Sequence, residues 1–198
     1  MKKKEESRSF FQKVGAFFSA KVKVLPGMYV YADGLISAEL ITGRWVKAVV
    51  GYVEGKTVYG ICLKAKELPW SSDCLEVKAF RDMTDGKKAT LRILESAKER
   101  GVKAEAAQWC HDYDYDDVVQ GEAFLPLASE LDKLSANKEA INKSLRALNA
   151  SELVAWYWSS TDYNHRFAWK INMGSGFLYQ EQKITFYNYV RPVIAIQL

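Results

Sequence analysis

The last forty residues of this chain restrict what it can fold into more than any other stretch. Two segments frame them, residues 157–161 and 189–193, and between these frames large aromatic and polar side chains follow one another without helical or strict strand periodicity. Aromatic residues such as Tyr give a large contact area at a low cost in rotamer entropy, so this composition is typical of a binding surface. A catalytic centre would instead show a few titratable groups at defined spacing. We therefore predict a chain that holds a ligand.

The composition allows one sizeable core and argues against several classes of partner. The chain has 198 residues, of which 48% are hydrophobic and 26% charged. Its net charge is only +4, and the one basic run, at residues 2–4, is followed at once by two glutamates, so we expect no nucleic-acid partner. No apolar run approaches the length that crosses a bilayer, so we expect no membrane span.

The cysteines and histidines do not suggest a metal or cofactor site. Cys62, Cys74 and Cys110 are an odd number without CxxC spacing, and His111 and His165 stand far apart. We predict no metal, no cofactor and no disulfide framework. Buried free thiols are the main interpretation, and a single Cys62–Cys74 or Cys74–Cys110 bridge is the alternative.

The chain divides into an N-terminal extension, residues 1–26, and a ligand-binding domain, residues 27–198. An amphipathic helix is predicted at 7–20. A secretory signal peptide is disfavoured because Gln12 and Lys13 interrupt the apolar stretch. The localisation is therefore left open between a phage virion and a bacterial cell surface that is reached by another route.

The pattern of apolar residues predicts an α+β fold. Strands are predicted at 28–31, 35–40, 45–53, 57–63, 168–173, 177–182 and 190–197. Two helices are predicted at 89–108 and 127–148, and Gly101 should bend or break the first, whose apolar stripe includes Leu91 and Leu94. Strands, then helices, then strands indicate two helices packed on mainly antiparallel β-sheet.

Four segments of the sequence carry a resemblance to a known family. They are residues 106–110, the segment Phe-Leu-Pro-Leu-Ala-Ser-Glu-Leu at 124–131, and the two frames at 157–161 and 189–193. Together they resemble the C-type lectin-fold variable proteins that diversity-generating retroelements vary in bacteria and phages. These proteins are related to the phage major tropism determinant and to lectin folds like that of formylglycine-generating enzymes. The resemblance covers roughly residues 27–198.

The chain also departs from this family's pattern in two ways. Leu127 and Ala128 differ from the family's Leu-Pro-Ser-Leu-Gly-Glu-Leu segment, so the start of the second helix is expected to differ in detail. The Glu-Pro-Asn and Trp-Asn-Asp tripeptides of calcium-dependent animal lectins are absent. The resemblance therefore does not imply sugar binding through calcium.

The resemblance implies a C-type lectin-like fold and a non-catalytic protein that recognises a protein or a glycan on a cell surface. In such proteins mutagenic reverse transcription directed at adenines varies one C-terminal surface, while the scaffold stays constant. The predicted ligand-binding residues are Tyr163, Asn164, His165, Arg166, Phe167, Ser175, Phe177, Tyr179, Ile184, Phe186 and Tyr187.

Part of the aromatic tail is instead expected to form the core of the last sheet, because alternate residues of a strand face inward. The residues assigned to that core are Trp156, Trp158, Trp169, Ile171 and Val190. Arg191, directly before Pro192, is expected to pin the last strand through buried hydrogen bonds rather than to touch a ligand.

Three alternatives stay open. A structural or adhesion component of a phage tail or bacterial surface appendage would use the same aromatic patch within a homo-oligomer. An enzyme is not predicted, because neither histidine has a nucleophile in a recognisable motif and the reactive cysteine pair of formylglycine-generating enzymes has no counterpart. The acidic segment 111–117 could hold calcium, but it lacks the glycine and the terminal Glu of an EF-hand loop, so a solvated connection is the prediction.

Overall fold

The structure is a computed structural model that describes residues 23–77 and 83–198, so the helix predicted at 7–20 lies outside the described residues. Five strands form a first sheet, in the order β10-β4-β3-β1-β2 with every pair antiparallel. They are β1 (Tyr29–Tyr31), β2 (Ile36–Ser37), β3 (Val46–Glu54), β4 (Thr57–Cys62) and β10 (Val193–Gln197). Gly55 closes the β3–β4 hairpin with a φ of 59°, a left-handed conformation that glycine adopts without a steric penalty.

Five further strands form a second sheet, in the order β5-β9-β6-β7-β8. They are β5 (Lys66–Leu68), β6 (Trp156–Asp162), β7 (Phe167–Asn172), β8 (Leu178–Gln182) and β9 (Asn188–Val190). The β6–β9 pair is parallel and the other pairs are antiparallel. The predicted α+β class with mainly antiparallel sheet is therefore confirmed. β5 is not among the strands predicted from the sequence.

The predicted break of the first helix at Gly101 is confirmed, whereas the interruption of the second helix was not predicted, so four helices stand where two were expected. The described residues contain α1 (Gly86–Arg100), α2 (Glu105–His111), α3 (Ala128–Ala136) and α4 (Lys138–Ala147). Gly101 ends α1 with a φ of 67°, and its N–H bonds back to the carbonyl groups of Ala97 and Lys98. Asn137 separates α3 from α4, and its side chain donates to the carbonyl of Lys133 at 2.9 Å.

The apolar stripe predicted for the first helix is also shifted. Leu91 is 48% exposed and Leu94 is half-buried, whereas Ala89, Ile93 and Ala97 are buried against the second sheet. These three residues recur every four positions, so they lie on one face of the helix, as the residues of the predicted stripe do. Periodicity alone could not show which of the two faces is buried. Packing against the second sheet determines that the face with Ala89, Ile93 and Ala97 is the buried one.

The strand predicted at 190–197 is in fact two strands that belong to different sheets. β9 ends at Val190 in the second sheet, and β10 begins at Val193 in the first. Between them Arg191 is 1% exposed, and its guanidinium donates to the carbonyl groups of Cys62 (3.0 Å), Leu63 (2.7 Å) and Ser151 (2.5 Å). The predicted pinning role of Arg191 is confirmed, and it acts at the point where the chain passes from one sheet to the other.

The core lies in three layers around the two sheets. The central layer joins both sheets to α3 and α4, with Val49, Ile61, Leu134, Ile141 and Tyr157 among its members. A second cluster packs α1 and α2 on the second sheet, and a third covers the outer face of the first sheet with residues around 113–123. Both faces of the second sheet therefore contribute to the core, while β8 and the loops at the ends of the sheet carry its exposed side chains.

The start of α3 connects these layers. The carboxylate of Glu130 accepts hydrogen bonds from the N–H groups of Leu127 (2.7 Å) and Gly86 (3.3 Å), and the N–H of Ala128 donates to the hydroxyl of Thr161 (2.9 Å). Burial raises the pKa of Glu130 to about 7, although both N–H donors favour the ionised form. One carboxylate thus ties the first turns of α1 and α3 together.

Candidate functional site

The loop between β6 and β7 is held by one of its own side chains. The side-chain oxygen of Asn164 accepts hydrogen bonds from the N–H groups of Arg166 (2.9 Å) and Phe167 (3.0 Å), which forms an Asx-turn. The N–H groups of Tyr163 and Asn164 both donate to the carbonyl of Phe167, at 3.1 and 3.2 Å. These bonds fix the loop without help from the side chains of Tyr163, His165 and Arg166, which are exposed.

The turn after β8 is anchored by a buried lysine. Lys183 has an exposure of 0%, and its ammonium group donates to the carboxylate of Asp162 at 2.5 Å, to the carbonyl of Asn164 at 2.8 Å and to the carbonyl of Leu75. The ammonium also lies 4.3 Å from the ring centre of Trp70, a cation–π contact. We refer to these five residues as the Lys183 cluster. It joins the β6–β7 loop, the β8–β9 loop and the segment 70–77.

Backbone bonds reinforce the Lys183 cluster. The N–H of Lys183 donates to the carbonyl of Arg166 (3.0 Å), and the N–H of Trp70 donates to the carbonyl of Lys183 (2.9 Å). The second carboxylate oxygen of Asp162 accepts from the N–H of Val77 (2.9 Å). Every segment that meets the lysine side chain is thus also bonded through its backbone, so the cluster sets one relative position for all three.

The ion pair of the cluster is not a large source of net stability while both partners are present. Exclusion of water raises the pKa of the Asp162 carboxyl and lowers the pKa of the Lys183 amine, and the attraction between the two charges opposes both shifts. A complete buried ion pair contributes little net stability, because desolvation offsets the Coulomb attraction. Removal of one partner is costly, since it leaves an uncompensated buried charge.

Exposed apolar and charged side chains lie on the two loops that this cluster joins. We define the tip surface as the exposed residues of the β6–β7 and β8–β9 loops that were predicted to bind ligand. They are Tyr163, His165, Arg166, Ile184, Phe186 and Tyr187. Tyr163 and Tyr187 have exposures of 51% and 65%. Four of the sixteen large hydrophobic residues that are exposed in the described chain belong to this surface, namely Tyr163, Ile184, Phe186 and Tyr187.

The structure does not bring all the predicted site residues together. Ser175 and Phe177 belong to the turn between β7 and β8, at the opposite end of the hairpin, about 17 Å away along the six residues of β7. Tyr179 is exposed on β8 between the two ends. Asn164 and Phe167 are half-buried, and Asn164 has a structural role in its loop. A role of any of these residues in binding stays a prediction.

A shallow pocket lies beside the tip surface. It has a volume of about 410 Å³ and is lined by Tyr163, Asn164, Phe167, Trp169, Leu178, Tyr179 and Gln180. The rings of Tyr163 and Trp169 meet edge to face with centres 5.6 Å apart. Trp169 was assigned to the core together with Trp156, and both are half-buried, whereas Trp158, Ile171 and Val190 are buried as predicted.

Sequence reasoning missed the residues that hold the tip surface in place. Lys183 was not among the predicted ligand-binding residues, and neither Asp162 nor Trp70 was assigned a role from the sequence. A single Lys at the end of an aromatic and polar run is a solvated residue far more often than a buried one, because an unpaired charge is too costly to bury. Its partners lie 21 and 113 positions away along the chain, so no local pattern contains them.

Two other regions have features that are typical of a binding site. In the acidic segment 111–117, Asp112 is bonded to Gln108 and Gln120, and Asp116 accepts from Tyr113 at 3.0 Å. Within residues 23–77 and 83–198 no group of three or more side chains is placed to hold a metal ion. A groove of about 1130 Å³ runs between α1 and α2, with Leu91, Leu94, Val102 and Trp109 among its apolar lining and several lysines at its rim.

Comparisons with known proteins show a likeness of fold. No protein-family model and no curated protein matches the sequence. Among solved structures the chain is similar to a fimbrial protein from Bacteroides ovatus ATCC 8483, with a TM-score of 0.71 and 14% sequence identity. The match covers 87% of this chain and 49% of that protein, so the chain spans about half of its length. No helix among the described residues is long and apolar enough to cross a membrane.

Proposed function

We propose that this chain is a non-catalytic adhesion module of a bacterial surface appendage or a phage tail, and that its tip surface binds a protein or a glycan on a cell surface. The observation that carries the proposal is the tip surface itself, where large apolar side chains stay exposed above a buried polar cluster. Exposed apolar groups of this kind mark interaction sites, and Tyr and Arg contribute often to binding energy. The likeness of fold to a fimbrial protein supports the proposal that the chain is part of a surface appendage.

The test compares the protein with a variant whose tip surface is polar. Labelled protein is titrated onto fixed bacterial cells and onto a glycan array, and the same is done with Tyr163→Ser/Phe186→Ser/Tyr187→Ser. We expect saturable binding by the wild-type protein and an affinity at least ~10-fold weaker for the variant, because exposed aromatic residues dominate interface energies. Wild-type binding by the variant would contradict the proposal.

A matched control removes the same number of exposed apolar side chains elsewhere. Trp45, Val119 and Val154 are 79%, 66% and 65% exposed and lie outside the tip surface. The variant Trp45→Ser/Val119→Ser/Val154→Ser should bind as the wild type does. An equal loss in both variants would mean that the binding is unspecific adsorption through apolar surface, which also contradicts the proposal.

The absence of catalysis is part of the proposal. Burial raises the pKa of the Cys62 and Cys110 thiols, which keeps them in the unreactive protonated form. Only Cys74 is partly accessible. Rapid modification of more than one cysteine in the native protein by a thiol reagent would contradict this part.

The finer form of the proposal is that a retroelement varies the tip surface on a C-type lectin-like scaffold. In its support, the two loops are held by backbone groups and by Asp162, Asn164 and Lys183, so the exposed side chains can change without loss of these bonds. The expected finding is a nearby second copy of the DNA that encodes residues 157–193, differing only at adenines and next to a reverse transcriptase gene. A genome without it would contradict the finer proposal and leave the adhesion module standing.

A further inference from the structure

β8 is the outer strand of the second sheet in the described chain, and one side of its backbone faces away from β7. The N–H of Asn172 donates to the carbonyl of Phe177 at 2.9 Å, and the N–H of Lys183 donates to the carbonyl of Arg166 at 3.0 Å. In an antiparallel pair the residues that bond to the neighbouring strand alternate, so residues 177, 179, 181 and 183 face β7. The residues whose backbone groups face outward are Leu178, Gln180 and Gln182.

This edge lacks the usual protection against pairing with another chain. Edge strands are normally kept short or carry Lys, Pro or a bulge. β2 and β5 have two and three residues, and β10 begins in a bridge to Phe124. β8 has five residues with no Lys, Pro or bulge. Its one charged side chain, Glu181, lies 3.2 Å from the ammonium of Lys170 and accepts a hydrogen bond from the outward N–H of Gln182 at 3.0 Å. Of the three outward N–H groups, those of Leu178 and Gln180 have no partner among the described residues.

We infer that β8 pairs antiparallel with β8 of a second copy of this chain, about a two-fold axis at Gln180. In this register Gln180 faces its own copy, and Leu178 faces Gln182 of the second copy, whose carbonyl accepts from the N–H of Leu178 while its own N–H stays bonded to Glu181. Tyr179 then lies opposite Glu181 of the second copy, so no like charges meet. An axis at Tyr179 would use only two outward residues, and an axis at Glu181 would place two carboxylates opposite each other.

The same register continues past the strand ends. It places Gly176 of one copy opposite Ile184 of the other, and Phe177 opposite Lys183. The β7–β8 turn, which is remote from the tip surface of its own chain, thereby lies beside the β8–β9 loop of the second copy and reaches one member of that copy's tip surface, Ile184. The inference is argued from the edge of β8 alone, so it does not depend on the proposed function.

Cysteine cross-linking tests the register directly. In a background of Cys74→Ser, which removes the one partly accessible thiol, Gln180→Cys should form a disulfide-linked dimer under mild oxidation. The Cα atoms of a hydrogen-bonded antiparallel pair lie ~5.5 Å apart, within the range that a disulfide spans. Leu178→Cys alone should not cross-link, whereas an equimolar mixture of Leu178→Cys and Gln182→Cys should form the linked pair. Cross-linking of Leu178→Cys alone, or none for Gln180→Cys, would overturn the inference.

Light scattering on the unmodified protein supplies a second measurement. The wild-type protein should have twice the mass of one chain, and Gln180→Pro should have the mass of one chain, because proline removes an outward N–H and leaves the β7 side intact. Gln180→Thr keeps the N–H and should remain a dimer. Circular dichroism checks that Gln180→Pro is folded. A wild-type monomer, a larger oligomer, or a dimer that survives Gln180→Pro would overturn the pairing.

Discussion

The two sheets of this molecule differ in whether they bury polar side chains. The five strands of the first sheet bury only apolar and aromatic side chains, such as Val49, Val50 and Ile61. The second sheet and its loops bury Ser159, Ser160, Lys170, Lys183 and Asn188. On the same sheet Leu178 and Tyr179 are exposed.

This difference separates a supporting sheet from a presenting one. Burial of apolar surface stabilises a fold by about 25 cal/mol for each Å² removed from water and does not depend on the orientation of the groups. It is therefore sufficient for a sheet whose role is to support the fold. Buried hydrogen-bonded charges add little stability but allow few arrangements. The second sheet therefore holds its loops in defined positions by polar contacts, and this leaves its large apolar side chains free for an external partner. The experiments below test this contrast, in order of expected effect.

The largest effect is expected from Lys183. Lys183→Met leaves the carboxylate of Asp162 buried without a charge partner, so the free energy of unfolding should fall by about 3–5 kcal/mol. The double variant Asp162→Leu/Lys183→Met should lose less than the single one, because it removes both charges. Urea unfolding monitored by fluorescence measures both. As a control, Lys133→Met removes an exposed lysine paired with Glu54 and should cost about 1 kcal/mol or less.

A smaller effect, dependent on pH, is expected from Glu130 in the layer between the sheets. Its pKa is raised to about 7 in the folded chain from an ordinary value of 4.5. Protonated Glu130 therefore makes its full contribution to stability below pH 4.5, and this contribution is lost as the pH rises through 7. The free energy of unfolding changes by about 3 kcal/mol over this range. Glu130→Gln should flatten this part of the profile of unfolding free energy against pH. Parallel profiles for the two proteins would refute the assignment.

The first sheet should respond to volume rather than to charge. A Cβ on Gly51 would lie 2.2 Å from a methyl group of Leu134 on α3, so Gly51→Ala should cost about 1–3 kcal/mol through overpacking. Leu134→Val shortens the side chain that is in the way, so the double variant should lose less than the sum of the single variants. If the double variant loses the sum of the two single losses in chemical denaturation, the close contact with Leu134 is not the cause of the loss in Gly51→Ala.

The smallest effect is expected at the tip surface. Tyr163→Ser, Phe186→Ser and Tyr187→Ser remove side chains that are at least 46% exposed and make none of the hydrogen bonds that hold the loops. Each should change the free energy of unfolding by no more than about 0.5 kcal/mol. Losses of several kcal/mol would mean that these residues belong to the core, and the contrast between the sheets would then fail.

Much of the secondary structure could be predicted from local sequence. The β3 and β4 strands, the break at Gly101 and the buried Arg191 all follow from runs of neighbouring residues with a clear physical preference. The strand predicted at 190–197 failed because both halves are equally β-rich, and no local feature states that Val190 and Val193 pair in different sheets. The phase of α1 failed for a related reason, since two faces of that helix carry apolar residues.

The candidate site, like the secondary structure, could be predicted from the sequence only in part. The sequence by itself determined the α+β class and the region where aromatic and polar residues accumulate, because composition and hydrophobic period are local properties of the chain. Only the tertiary structure decided that Ser175 and Phe177 lie apart from Tyr163, and that Lys183 is buried and not exposed. Both depend on which strands pair and on contacts between residues far apart in sequence, as Trp70 and Lys183 are. A charge can be buried only where such distant groups converge to bind it, and that convergence is a property of the fold.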